Sequence, residues 1–563
     1  MVCDIFFTLI EGTGPLPTAG IFEIPLYRIL PEVRLIVHEW TQTLFQDEYV
    51  NAGVAKITRE LQEEYCFAAS AKHRSPSEIQ KRGEMLANEH PGTDEEIIND
   101  YLEGTFMYDL MHLPVAIPVP ERLRPEHAVI VAGSGGGKTQ LLESFILADL
   151  DDEACPGVIV IDSKGELIDR ISRLAMFEPM TGGLRDRLII IDHKDRPALN
   201  MFDVDPEVVD TKINEVASLM RYFFGGLFGS QLSDQMDVLF LPLLHMILRM
   251  PGATLHTFAA LVDDPTAFPD IIAKVPPGPR DFILNHYNDR GYAQTKTGIV
   301  TRLHRIINEV TLDDMFSASH NAVDIGKALN EGKIILVSTD ADGLQDLSPI
   351  FGKYFIAQVM NAGLSRGSRQ RDDRRPIHFY IDECAPYVDD KLAQMLTTIR
   401  SYGIGLMMAF QGVWQMKSHT AVITGNTGIK IMGSVEDDSD AKAFASSMRT
   451  DPKFIMSQRK VQGTGRFAVY TRDLSHAIPV TLPFGMLDKR PQMDDAAYEK
   501  LRQVNQAIVT GKAVSLGGIL IPQTKPRPVA PVAPAPKRPA KSPPQKIDPD
   551  SGERTKPTGN WEP

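Results

Sequence analysis

The stretch Ala132-Gly133-Ser134-Gly135-Gly136-Gly137-Lys138-Thr139 has the residue types of a phosphate cradle. Glycines let backbone N–H groups turn inward around phosphate oxygens, at the positive end of the helix that follows. Lys138 is spaced to reach the β and γ phosphates, the Thr139 hydroxyl to ligate Mg²⁺, and Gln140 to open the helix beside them. A flexible glycine turn is the plain alternative. The apolar strand Ala128–Ala132 before the loop and the helical pattern of Gln140–Leu147 after it weigh against that alternative.

Such a loop needs an acidic partner at the end of another buried strand. Ile377-His378-Phe379-Tyr380-Ile381-Asp382-Glu383 supplies one. Asp382 is suited to the metal shell. Glu383 is suited to polarise an attacking water as general base. ATP and Mg²⁺ are the cofactors this pairing implies. A further strand ends in Met407-Met408-Ala409-Phe410-Gln411. Ligands of open α/β sheets bind at the carboxyl ends of strands, so Gln411 is placed to sense the γ-phosphate or its water. Arg400, just before that strand, has two readings. It could act as an arginine finger on a neighbouring subunit's nucleotide, or it could be a solvated arginine at the negative end of a helix.

These residues need a sheet to position them. Short, nearly continuous apolar runs recur at Ala128–Ala132, Val158–Ile161, Leu188–Ile191, Ile334–Val337, Ile377–Ile381, Gly405–Phe410 and Ile429–Met432. Such runs, separated by helical stretches, predict a mostly parallel α/β sheet with helices on both faces. The motor would occupy 116–205 and 326–515. Between them, 206–325 reads as an all-helical insertion. Val209, Ile213, Val216, Met220 and Phe223 recur on one helical face, Ser233 could cap the next helix, and Ile299, Leu303, Ile306 and Val310 line another. Residues 1–115, with charged helical patterns at Asn51–Glu64 and Ser75–Asn88, read as an accessory domain. Residues 516–563 include the Pro-rich, basic Pro522–Pro544, which cannot bury a core and reads as a disordered tail, either passive or a tether for a partner or DNA.

The chain has 563 residues, 43% hydrophobic and 23% charged, enough for several packed units. A net charge of −14 argues against wholesale coating of nucleic acid, so any DNA contact must be local. Two basic runs could supply it: Arg366, Arg369, Arg371, Arg374 and Arg375, diluted by Asp372 and Asp373, and Arg459, Lys460 and Arg466. Both also read as solvated loops, and neither is assigned to a pore. The cysteines are far apart, without metal-ligand spacing, and read as reduced thiols. No signal-peptide pattern is evident. The most apolar stretch, Val238–Leu248, is too short to span a bilayer and reads as a buried helix.

Several segments together resemble one family. They are Pro118–Glu121 through His127, Ile161-Asp162-Ser163-Lys164-Gly165-Glu166-Leu167, Leu199-Asn200-Met201-Phe202, Gly332–Val337, and Arg400 through Gln411 to Asn426. Over roughly residues 115 to 480 the chain is similar to the motor of type IV secretion coupling proteins, the conjugative DNA-transfer ATPases. The resemblance implies a RecA-like P-loop NTPase that assembles as a homo-hexamer and moves DNA through a central pore. It implies a helical insertion facing substrate, and relaxase or adaptor proteins as partners. The family usually carries an N-terminal membrane anchor. None is evident here, so a cytoplasmic chain anchored through a partner subunit is expected. Ala132 stands at the first P-loop glycine position. Asp162 and Lys164 could form an ordinary strand-to-helix turn or a nucleotide-edge contact. The rival expectations are a related ring ATPase acting on protein cargo, packaging or defence, and a nucleotide-gated scaffold without turnover.

Overall fold

The computed structural model describes residues 20–30, 32–51, 56–228, 234–368, 374–435, 437–461, 463–512, 514–516 and 519–521. Ser233, Arg369, Arg371, Asp372, Asp373 and residues 522–563 lie outside the described residues; the start of the expected tail is instead ordered, Val514–Leu516 pairing antiparallel with Ile519–Ile521.

An 11-stranded sheet organises the described chain. Its strands are β1 (Phe22–Pro25), β2 (Pro114–Ile117), β3 (Ala128–Val131), β4 (Gly157–Asp162), β5 (Leu188–Asp192), β6 (Ile334–Ser338), β7 (Ile377–Ile381), β8 (Ile404–Phe410), β9 (Ile429–Met432), β10 (Thr464–Thr471) and β11 (Ile478–Pro483). The spatial order is β2-β1-β11-β10-β9-β3-β8-β7-β4-β6-β5. From β9 to β5 every pairing is parallel. From β9 to β2 every pairing is antiparallel. The mostly parallel α/β sheet expected from the apolar runs is therefore present, and its strands match those runs closely.

The continuous apolar character has a simple cause. Successive side chains alternate between faces, and here each face has its own core. Val129, Val131, Ile159, Ile161, Phe379 and Met408 join a core shared with the helices of 206–330. Ala128, Ile130, Val158, Val160, Tyr380 and Ala409 join the opposite core, with Leu141, Leu142, Phe145 and Ile146 of the helix after the phosphate loop. A strand buried on both sides has no polar face to show.

Between β5 and β6 the described residues hold helices and connecting turns, with no strand. Val209, Val216, Met220 and Phe223 are buried along helix Pro206–Phe228, and Ile299, Leu303 and Ile306 along helix Ala293–Ile307. Val310 departs from the expected face. It is 67% exposed because it begins a separate helix, Val310–Phe316, after a break. Val238–Leu248 falls largely in helix Asp234–Ile247, and Leu239, Phe240, Leu243 and Leu244 there are fully buried. No helix among the described residues is long and apolar enough to cross a membrane.

The N-terminal region corrects the expected boundary near residue 115. Its helices pack a small core of their own around Val33, Val37, Ile97 and Tyr101. Yet β1 and β2, at its two ends, pair with each other and β1 with β11, extending the large sheet. Each strand is four residues long and contains a proline. Such strands are confined to sheet margins and leave almost no periodic trace. The strands β10 and β11 were also missed: the apolar run of β10 is only Phe467–Tyr470, between polar residues, and β11 is a half-buried strand broken by Pro479 and Thr481.

The far edge of the sheet is closed by helix Asp495–Thr510. Buried Asn505 accepts from the Ile190 N–H (2.7 Å) and donates to the Ile190 carbonyl (2.6 Å), standing in for a neighbouring strand. Replacing it by leucine leaves two buried backbone groups unpaired. Asn505→Leu should lower stability by about 2–4 kcal/mol, measured as a shift of the urea unfolding midpoint.

Candidate nucleotide and metal site

The phosphate loop leaves β3 between two neighbours. The Ala132 N–H donates to the Phe410 carbonyl (3.2 Å) and the Gly133 N–H to the Ser434 carbonyl (2.8 Å). Gly135 and Gly137 hold φ of +68° and +91°, where a side chain would be strained. At Gly137 a Cβ would also sit 2.7 Å from the Phe484 ring. Helix Lys138–Asp151 starts from there, with its first N–H groups opening on the loop.

Lys138 is buried and curled back on its own loop. Its ammonium donates to the carbonyls of Ala132 (2.8 Å) and Gly133 (3.1 Å). Burial lowers its pKa, against the pull of Glu383 and Asp382. Thr139 Oγ1 donates to Asp382 Oδ2 at 3.1 Å, joining residues 243 apart in the chain. The other Asp382 oxygen is buried and has no hydrogen-bond partner. A hydroxyl and one carboxylate with an orphaned oxygen form a hard oxygen donor set, which fits a divalent cation such as Mg²⁺. Burial, then the neighbouring charges of Asp162 and Glu383, push the Asp382 carboxyl up to about 6.

Glu383 has φ +57°, a left-handed conformation that is costly for a non-glycine residue. The chain regains the sheet at once, where the Cys384 N–H donates to the Ala409 carbonyl (2.9 Å). Gln411 Nε2 donates to Glu383 Oε1 at 2.8 Å. The structure therefore gathers Lys138, Thr139, Asp382, Glu383 and Gln411 at the carboxyl edge of β3, β8 and β7, which are neighbours in the sheet.

Four residues stand outside this cluster or act structurally, Asp162 following the strand-to-helix turn that was one of its two readings. Arg400 stands at the amino end of β8, the opposite edge of the sheet. It binds Glu126 (2.8 Å), which Arg472 also approaches (3.1 Å), so the chain does not bring Arg400 to its own site. Gln140 spends its side chain on packing. Its oxygen accepts from the Gly485 N–H (2.7 Å), and its amide donates to Glu143 (2.9 Å), leaving only its backbone N–H for a phosphate. Asp162 holds the strand-to-helix turn by accepting from the N–H groups of Lys164 (2.9 Å) and Leu167 (3.0 Å). Lys164 contributes positive field at Lys138 without a direct bond to it.

Two supports escaped the sequence reading. Glu143, fully buried in the helix after the loop, pairs with Arg170, which also reaches Asp488 (2.8 Å). Burial pushes the Glu143 carboxyl up to about 7. At the other end of that helix, Asp149 accepts from Arg124 (3.0 Å) and lies 2.8 Å from His378. That buried group pins β7 to the helix of the phosphate loop. Only a histidine inside an apolar strand hinted at it.

The described members of the first basic run serve the fold. Arg366 is fully buried and donates to the Arg375 carbonyl, Arg374 donates to the Ser401 carbonyl (2.8 Å), and Arg375 to the Ala154 carbonyl (3.2 Å). Arg459, Lys460 and Arg466 are exposed. His73, His90 and Asp100 also lie together. There the Gly92 N–H donates to His90 Nδ1 (3.0 Å), so the nitrogen facing Asp100 (3.0 Å) carries the proton and has no lone pair for a metal.

The sheet order and the loop define a P-loop NTPase fold. Residues 376–460 match the family described as the TraM recognition site of TraD and TraG. That segment carries Asp382, Glu383 and Gln411 and lies within the stretch that resembles the type IV coupling proteins. No curated protein matches the chain. Solved structures similar to it include the plasmid coupling protein TrwB in complex with the non-hydrolysable GTP analogue GDPNP. It has 15% identity and a TM-score of 0.48, over 68% of this chain and 90% of that one. TrwB in complex with ADP and Mg²⁺ has 15% identity and a TM-score of 0.46, with 68% and 90% covered. VirB4 of Thermoanaerobacter pseudethanolicus has 15% identity and a TM-score of 0.44, with 66% and 93% covered.

The crowding of acids has a measurable consequence. A carboxyl whose folded pKa is raised stabilises the fold fully below its ordinary value of 3.8, and that contribution is lost as pH rises through about 6. Above pH 7 the nucleotide-free protein holds a buried, poorly compensated charge. Asp382→Asn should therefore stabilise the ligand-free protein by about 1–3 kcal/mol at pH 7.5. The gain should shrink toward pH 4. Thermal melts across that range check both statements.

Proposed function

We propose that the chain is an ATP-driven DNA translocase of a conjugative or type IV secretion-like transfer system, hydrolysing ATP with Mg²⁺ in a homo-hexameric ring. The observation that carries this reading is the direct bond from Thr139 to Asp382 with the Glu383–Gln411 pair beside it. A pure nucleotide sensor needs the first pair but not the second.

Lys138 exchanges its two loop carbonyls for phosphate oxygens when nucleotide enters, and the loop N–H groups close around the same oxygens. Thr139 and Asp382 would hold the metal, their mutual bond giving way to it. Bound there, Mg²⁺ neutralises charge on the phosphate oxygens. Glu383 takes a proton from water as the water oxygen bonds to the γ-phosphorus and the bond to the ADP leaving oxygen breaks. Gln411 orients Glu383 and registers the loss of the γ-phosphate. Arg400 remains available to a neighbouring subunit only, as a trans contact across the ring. Relaxase or adaptor proteins are the proposed partners, with a separate membrane-anchor subunit holding the motor at the cytoplasmic face.

The name of the family matched by 376–460 is that of a protein-recognition site. It favours, as a second reading, a ring ATPase stimulated by protein cargo. Hydrolysis assays of the wild type, Lys138→Ala and Glu383→Gln with and without DNA test the proposal. Both variants should lose at least about 100-fold in turnover. Glu383→Gln should still bind ATP and Lys138→Ala should not. Turnover indifferent to DNA but raised by a partner protein would replace the first reading with the second.

A further inference from the structure

Three residues past Gln411 the chain displays a tryptophan. Trp414 is 72% exposed, a rare state for so large an apolar ring. Its indole lies on the backbone of Gly412, where an added Cβ would come within 2.6 Å of the indole nitrogen. Gln415 and Met416 beside it are buried, while Lys417 and Ser418 are exposed. The segment thus has a fixed base and a tip that offers one flat aromatic face and one cation.

The base is tied to the catalytic pair. Gln415 Oε1 accepts the Gln411 N–H at 2.7 Å, and Asp440 Oδ1 accepts the Val413 N–H at 3.0 Å. Gln411 in turn donates to Glu383. Two hydrogen bonds therefore separate the segment under the exposed indole from the general base. Of the nearby acids, Asp440 accepts from the Val413 N–H, and Asp390, its side chain exposed, lies 2.7 Å from His419.

We propose that Trp414 is the stacking platform for an unpaired nucleobase of a single-stranded nucleic acid, with Lys417 facing its phosphate, and that Gln411 and Glu383 read its engagement. This rests on the DNA-motor reading. Stacking suits a motor because every base has a π-face, so the grip is independent of sequence. A strand that pulls on the indole shifts Gln415, and with it the backbone of Gln411 that positions Glu383. Trp414 is in this sense a positioning residue for hydrolysis as well as a binding one.

The chain has tryptophans at 40, 414 and 561. A full-length Trp40→Phe/Trp561→Phe protein reports on Trp414 alone. Adding oligo-dT should quench its emission. Trp414→Ala should weaken oligo-dT binding about tenfold, and should drive the ratio of turnover with strand to turnover without it toward one. Trp414→Phe should restore most of both. Gly412→Ala, which displaces the indole without removing it, should resemble Trp414→Ala. A wild type stimulated by strand together with an equally stimulated Trp414→Ala overturns this inference and leaves the motor reading standing. A wild type that neither binds nor responds to DNA overturns the motor reading itself. Loss of ring assembly or of partner-protein binding in Trp414→Ala, with strand binding intact, assigns the indole to a protein contact and also overturns the inference.

Discussion

The bond between Thr139 and Asp382 is the constraint on which the rest depends. It exists because β3, β8, β7 and β4 lie side by side and parallel, so their carboxyl ends finish on one edge. That edge carries, in spatial sequence, the phosphate loop, Gln411, Asp382 with Glu383, and Asp162. None of these groups could meet through local chain geometry. Loss of the parallel order would scatter them even if every strand survived.

The same edge concentrates charge that the ligand-free protein can barely tolerate. Asp382, Asp162 and Glu383 approach one another, and burial raises the pKa of the first two. The buried cation of the phosphate loop, Lys138, is occupied with loop carbonyls. Glu383 also holds a left-handed backbone. Each feature weakens the fold at this edge, and a bound cation would relieve the crowding of carboxylates there. Stability is supplied elsewhere, by two extensive apolar cores and by buried polar ties. Among these are the Arg124–Asp149–His378 group, which fixes β7 against the phosphate-loop helix, and the Gln140–Glu143–Arg170–Asp488 chain, which fixes the start of that helix against the segment after β11.

The helical region between β5 and β6 shares one of those cores with the sheet. The N-terminal helices differ. They pack around a small core of their own and touch the large sheet through β1 and β2. The N-terminal unit and the large sheet are thus connected by main-chain hydrogen bonds between β1 and β11.

Much of the site was legible in the sequence. Glycine spacing, the Lys138-Thr139 pair, and the acids and amide that end apolar runs are local properties, fixed by neighbouring residues and by the need to bury both faces of a strand. Tertiary structure alone decided what those residues touch. It set Glu383 inward against Gln411, turned Gln140 into a clamp, buried Arg366, carried Arg400 to the opposite edge, and drew β1 and β2 into the sheet. The reason is physical. Most of these outcomes depend on hydrogen bonds and ion pairs between segments tens to hundreds of residues apart, and such contacts leave no periodic mark on either segment.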